Sequence, residues 1–441
     1  MESRAILPPK RRFLLVRLGE VVRDSFWLIP TLFLVGAILV GFLLRLLDDQ
    51  LAVDTSDTPW WVGSPAAASD ILATIATAIL TFLGVVFSIT LVALQLASQQ
   101  FSPRVTRTFV RAASTKVALG TFIATFVVSL VALTGIETGD SESATAPVAS
   151  VTVAQVLVGL SLVVFIVFVN STTRLVRINF IISSVASETR HAIDVNHPPA
   201  DAYVPVDVPE PGAPDVVIGS NLPARLARRA YRGVLLGIDS KALVDIASRH
   251  GCVFSVTRRI GEYVPRGAPL IEVHGGTSPS EDLMRAVDLG RERTLFQDPL
   301  YGIRQLVDIG TQALSAAINA PTSAVQVIDR LSDLLPQIAE RPDPSGLFAD
   351  ESGTVRLMIP VIGWSHIVEL AFTELRTFGA GSPQVTRRLL ACFERLLADL
   401  PSERHPPLER QRLLLMAAVA RLVADADERA GRLEPDALGL G

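Results

Sequence analysis

Long apolar runs separated by short polar stretches set the pattern of the earlier part of the chain. They are Phe26–Leu44, Ile71–Leu96, Val117–Ile136 and Val151–Val169. A helix rises ~1.5 Å per residue and the hydrocarbon core of a bilayer is ~30 Å thick, so each run predicts a spanning helix. The second run holds 26 residues without a charge. At that rise it reaches ~39 Å, so it tilts or continues past the bilayer. The first run follows a long basic segment and no small-x-small cleavage site comes after it, which marks a span and not a signal peptide.

The polar positions inside the second run are ordered. Thr74, Thr81, Ser88 and Gln95 recur every seven residues, and Thr77, Gly84 and Ser98 fall on an interleaved row broken by Leu91. A seven-residue repeat puts them on one stripe of a helix. Such a stripe has two uses. It can be a packing seam, where small residues let backbones approach and hydroxyls bond across. It can instead line a pore or solute path. Spacing alone favours the seam, because seams of Gly, Ser and Thr are ordinary in membrane bundles. Gln95 points the other way, although it lies near the inner end of the span, where water could reach it.

Charge orients the spans. Arg4, Lys10, Arg11, Arg12, Arg17 and Arg23 precede the first run; Arg104, Arg107 and Arg111 follow the second; Arg174 and Arg177 follow the fourth. The intervening loops carry Asp48, Asp49, Asp54, Asp57 and Asp70, then Glu137, Asp140 and Glu142. By the positive-inside rule the chain crosses a bacterial cytoplasmic (inner) membrane four times with both termini cytoplasmic. Trp60 and Trp61 suit the headgroup layer. Arg104, Arg107 and Arg111 share one face of a short amphipathic segment suited to the membrane surface, with plain anchoring favoured over a specific lipid site. From Val151 to Ile193 no proline interrupts the pattern, which predicts one rod of 43 residues and ~65 Å, stopped by His197-Pro198-Pro199.

The later part changes character. The linker DVPEPGAP leads into β-rich runs at Val216–Gly219, Gly233–Asp239, Cys252–Arg258 and Leu270–Val273. The last two frame GEYVPRGAPLIEV, a turn that resembles barrel-sandwich domains of the biotinyl and lipoyl type. The lysine hairpin of those carriers has no counterpart here, since Lys241 is the sole lysine of the region. From Ser280 the periodicity is helical, with helices expected over 281–294, 302–318, 322–340, 363–378, 384–399 and 407–430, and one added strand at 354–359. The fold class is thus an α-helical membrane protein of four transmembrane helices with a cytoplasmic α+β part. Its domains are a basic segment 1–25, a four-helix membrane domain 26–199 with a long fourth helix, a β-module 200–280, a helical domain 281–430 and a disordered tail 431–441.

Composition agrees with that division. Of 441 residues 49% are apolar and 19% charged, the net charge is −4, and the mean hydropathy is +0.41. Cys252 and Cys392 are far apart and, with six scattered histidines, predict neither a disulfide nor a metal site. No phosphate loop, dinucleotide fingerprint, nucleophile elbow or zinc motif is present. His366 with Glu369 is one helical pair, and Asp298 and Asp308 flank Tyr301. No catalytic set and no cofactor follow from these residues. Basic residues gather beside the spans, which implies lipid and not nucleic acid as partner.

FLGVVFSITLVALQLASQQFSPR in the second run and FQDPLYGIRQLVDIGTQALSAAINAPTSAVQVIDRL at 296–331 are distinctive. With four spans ahead of the latter, the chain resembles a bacterial family of predicted membrane proteins, a domain of unknown function, over most of residues 20–400. The resemblance implies this architecture and no established activity. The family's signature resembles Leu-Ser-Pro-x-x-Asn-Asp-Pro-Thr. Asn319, Pro321 and Thr322 match it, while Ala316 and Ala320 replace the proline and the acid. If that acid were a base or metal ligand, this chain would lack the activity. The structural role of Asn319 is to close one helix and open the next through its amide. The leading functional expectation is an oligomeric channel or transporter whose second helix lines the path. The alternative is a non-transporting sensor or scaffold with a cytoplasmic binding domain, and an enzyme ranks third.

Overall fold

A computed structural model describes residues 25–51, 59–62, 64–100, 113–134, 147–175, 177–196, 216–219, 233–275, 283 and 286–439. The chain divides into two compact units, one ending at Ile181 and one running from Ile182 onward.

The first unit holds four helices, α1 (Leu28–Leu51), α2 (Pro65–Gln100), α3 (Ala113–Leu133) and α4 (Val148–Leu175). Each is long and apolar enough to cross a membrane. The third is the central one: 56% of its most apolar window is buried, against 22% for each of the others. Glycine allows its close packing. A Cβ on Gly120 would come within 2.8 Å of the Phe33 ring, and one on Gly41 within 2.9 Å of Val131. Buried hydroxyls of the bundle bond to one another and to backbone carbonyls. Thr125 Oγ1 donates to the Thr121 carbonyl at 2.9 Å and lies 3.0 Å from Ser161 Oγ. Asp48, an acidic loop residue by sequence, accepts from the Ala149 and Ser150 amides at 2.7 and 3.2 Å. It caps the first turn of α4, where helical amides have no internal acceptor and the dipole favours an anion. The outward surfaces of α1, α2 and α4 expose Leu32, Leu39, Leu80, Leu91, Val156 and Ile166, which suits lipid and not water.

The expected single rod past the fourth span is not what forms. Helix α4 stops at Leu175 and α5 (Ile178–Asn196) starts anew. Arg177 N bonds the Arg174 carbonyl at 3.0 Å, an i→i−3 link in place of the α-helical one. No proline is needed for the break. Thr173 Oγ1 bonds the Asn170 carbonyl at 2.9 Å within the last turn of α4.

The C-terminal unit begins with the rest of α5 and then mixes strands and helices. They are β1 (Val216–Gly219), β2 (Gly233–Ile238), α6 (Ser240–His250), β3 (Val253–Val256), β4 (Tyr263–Val264), β5 (Pro269–His274) and β6 (Val287–Gly290). Next come α7 (Pro299–Ala313), α8 (Pro321–Ala339), β7 (Leu347–Ala349) and β8 (Val355–Met358). Helices α9 (Trp364–Gly379), α10 (Pro383–Asp399), α11 (His405–Leu422) and α12 (Ala426–Leu433) complete the unit. One sheet has the order β1-β5-β3-β8-β7 and the other β4-β2-β6. They share a core of Leu235, Phe254, Val264, Leu270, Ile271 and Leu357, closed by Leu243 and Ile246 of α6.

Several expectations change here. Residues 287–290 pair with β2 as a strand instead of extending a helix, because the Asp239 amide bonds the Ala286 carbonyl at 2.8 Å and brings the segment into register. Strand β8 runs parallel to β3 with Phe254 opposite Leu357, so residues 347–358 belong to the same sheet as 253–274. The helix expected over 407–430 is broken after Leu422. The tail is held, not disordered, up to Gly439. Gln384 Nε2 donates to the Gly439 carbonyl at 2.9 Å and Arg388 Nη1 to that of Asp436 at 3.3 Å.

Candidate functional site

Helix α2 has two opposed faces. Leu72, Ala76, Ile79, Val86 and Ala93 are buried, and four of those five positions keep a seven-residue spacing. Thr74, Thr81, Ser88 and Gln95 stand two residues further on, about 200° around the helix at ~100° per residue. All four are exposed, as are Thr77 and Gly84. Ser98 lies in the same helix. Among the described residues the polar stripe is not covered by another helix of this chain. Thr77 and Thr81 turn their hydroxyls onto the carbonyls of Ala73 and Thr77 at 2.9 and 3.1 Å. Among the described residues the side chains of Thr74, Ser88 and Gln95 form no hydrogen bond, and a Cβ on Gly84 would meet nothing within 4 Å. Among the described residues of the bundle one charged group is buried: Lys116, in the first turn of α3, is 1% exposed.

The distinctive stretch from Phe296 knits the C-terminal unit together. Phe296 offers its carbonyl to Asn196 Nδ2 at the end of α5, 3.1 Å away. Gln297 reads both backbone groups of Ile238 on β2, at 2.9 and 3.2 Å. Asp298 caps α7 through the Tyr301 amide at 3.2 Å and pairs with Arg293, whose Nη2 donates to it at 3.1 Å. Burial pushes the Asp298 carboxyl up from the usual range, against the pull of Arg293 and the capping amides. The Arg293 guanidinium also stands 5.5 Å from the centre of the Tyr301 ring. Gly261, with φ of 86°, lies so close that a Cβ would meet Arg293 Cζ at 2.7 Å. Arg304 bridges Asp308 and Glu374, and the Glu374 carboxylate raises its already high pKa.

The same stretch grips α5. On that helix Ile182, Val185, Ala186, Thr189, Ala192 and Ile193 form one buried stripe at three- and four-residue spacing. A Cβ on Gly302 would overlap Thr189, whose own Cβ would be 2.8 Å away. Arg341 donates to the Ile193 carbonyl and to Asp194, each at 2.8 Å, and Arg330 to Ser183 at 3.2 Å. Each described residue of FQDPLYGIR that has a polar or close-packed role here serves cohesion.

The family model for predicted membrane proteins (DUF2254) matches residues 23–395. The chain belongs to that family. It is 27% identical over 421 residues to the uncharacterized protein Rv1290c of Mycobacterium tuberculosis, an alignment covering 93% of this chain and 79% of that one. The uncharacterized protein Mb1321c of Mycobacterium bovis matches to the same extent. No solved structure matches.

Within this member of the family the signature turn has a backbone role. Asn319 adopts φ of 46°, and its amide N–H bonds the Ser315 carbonyl at 2.9 Å. Pro321 opens α8 and Thr322 lies exposed in its first turn. The N-cap is Ala320 and has no side-chain cap, so the Asn319 amide group does not open α8 as expected. The asparagine serves because it tolerates the left-handed conformation. Arg174 and Arg177 are exposed on either side of the α4–α5 break, while Arg104, Arg107 and Arg111 lie outside the described residues. Sequence reasoning missed Lys116, Arg293, Gln297 and Gly302. Lys116 carried a signal, a lone lysine at the mouth of an apolar run; the others meet their partners only through the fold.

Proposed function

We propose that this family member is a homo-oligomeric protein of the bacterial cytoplasmic membrane, with the stripe on α2 lining a solute or ion path between copies. The observation that carries this is the opposition of faces on α2. Its apolar row is consumed inside the chain, and its polar row is left outward, where lipid offers no partner for Ser88 or Gln95. A path or a second copy offers one. The C-terminal unit lies in the cytoplasm in this reading, and its paired small sheets are a barrel-sandwich-like module. A second reading is favoured by the grip on α5: the protein is a sensor or scaffold in which the distinctive stretch holds the helix that follows the last span.

The test pairs oligomer size in detergent with flux in reconstituted vesicles, for wild type and Ser88→Leu. An apolar residue on a wetted path promotes dewetting, so flux is expected to fall while the oligomer survives. Loss of the oligomer instead would make the stripe a packing seam. Absence of wild-type flux above empty vesicles, for common ions and osmolytes, would remove the transport reading and leave the sensor or scaffold.

A further inference from the structure

The break between α4 and α5 opens a cleft of about 610 Å³ lined by Arg174, Arg177, Ile178, Asn179 and Phe180. Three features converge there. The two guanidiniums are exposed and, among the described residues, neither has an ion pair or a side-chain hydrogen bond. Among the described residues the cleft's lining has no carboxylate. Its level is set by the fourth apolar span, which ends at Arg174, and its lining is partly apolar: Ile178 and Phe180 stand in it, the latter 44% exposed.

We propose that this cleft binds the phosphodiester headgroup of an anionic glycerophospholipid. Arginine presents a planar fork of donors that matches phosphate oxygens, and unpaired guanidiniums at the end of a span lie at headgroup depth. Asn179 adds an amide donor, while Ile178 and Phe180 give the acyl chains an apolar wall. A generic positive flank would need neither a cleft nor arginines gathered on it. A soluble phosphate would share the headgroup chemistry but would make no use of the apolar wall.

The experiment uses the full chain, purified in detergent and stripped of lipid. Phosphatidylglycerol, phosphatidylcholine and inorganic phosphate are added separately, and bound lipid is read by native mass spectrometry beside the shift in unfolding temperature. Wild type is expected to prefer phosphatidylglycerol. Arg174→Gln and Arg177→Gln should each weaken that binding about fivefold, and the double variant should lose the preference. Arg45→Gln, an exposed change elsewhere in the spans, should leave it intact. Undiminished preference in the double variant overturns the site. Stabilisation by inorganic phosphate equal to that by phosphatidylglycerol overturns the lipid assignment. Should the double variant fail to fold, the single variants decide by the same readings.

Discussion

Gly302 shows how one missing side chain can decide a contact. A Cβ there has no space, because Thr189 on α5 is fully buried and fills it. Thr189 cannot turn aside, since its hydroxyl is bonded to the Val185 carbonyl at 2.6 Å. Gly302→Ala should therefore destabilise the C-terminal unit by about 1–3 kcal/mol, as overpacking does in close-packed interiors. Adding Thr189→Ala removes the hydroxyl and methyl and should restore part of the loss. Thermal unfolding of both variants checks this, and an unchanged midpoint for Gly302→Ala would show that α5 is not held where described. The cysteines are quieter residues: Cys392 is buried and its thiol is pushed up to about 12 by desolvation, which suits packing and not reactivity.

Among elements, α3 organises the spans. Membrane helices gain little from hydrophobic association, so small residues and internal hydroxyl bonds have to bring them together. Gly120 against Phe33, and Gly41 against Val131, fulfil the first need; Thr125 with Ser161 fulfils the second. Gly120→Ala should cost about 1–3 kcal/mol in mixed-micelle unfolding, with Phe33→Leu restoring part of it. If Gly120→Ala unfolds like wild type, α1 and α3 do not approach as closely as the glycines imply. Helix α2 differs in kind, because its small and polar row is exposed among the described residues.

At the scale of the molecule, the strands and helices of the C-terminal unit are not independent. Strand β8, between α8 and α9, completes the sheet begun by β3, and Gln297 ties β2 to the start of α7. Helix α5 covers the surface between Gly302, Arg330 and Arg341 with a continuous apolar stripe. A fragment from Asp201 to Gly439 lacks that cover, whereas one from Ile182 keeps it. Each buried Ile or Val contributes ~1.5–3 kcal/mol, so the longer fragment should be markedly more soluble and melt higher. Equal melting and solubility for the two would separate α5 from this core.

Sequence alone determined the spans, the heptad row on α2, five strands close to their observed limits, and most helices of the later part. These rest on local periodicity, which a helix or strand must obey wherever it packs. Membership in the family was legible too, through two long stretches of residues. Tertiary structure alone decided which face of α2 is free, since periodicity shows that a stripe exists and not what covers it. It also turned residues 287–290 into a strand, because pairing with β2 supplies hydrogen bonds that outweigh a helical pattern. The break at Arg177 has no proline or glycine to announce it in the sequence, and shows only in the i→i−3 link of Arg177 N to the Arg174 carbonyl. The partners of Asp298, Gln297 and Gly302 come from segments distant in the chain, and only folding brings them within bonding distance.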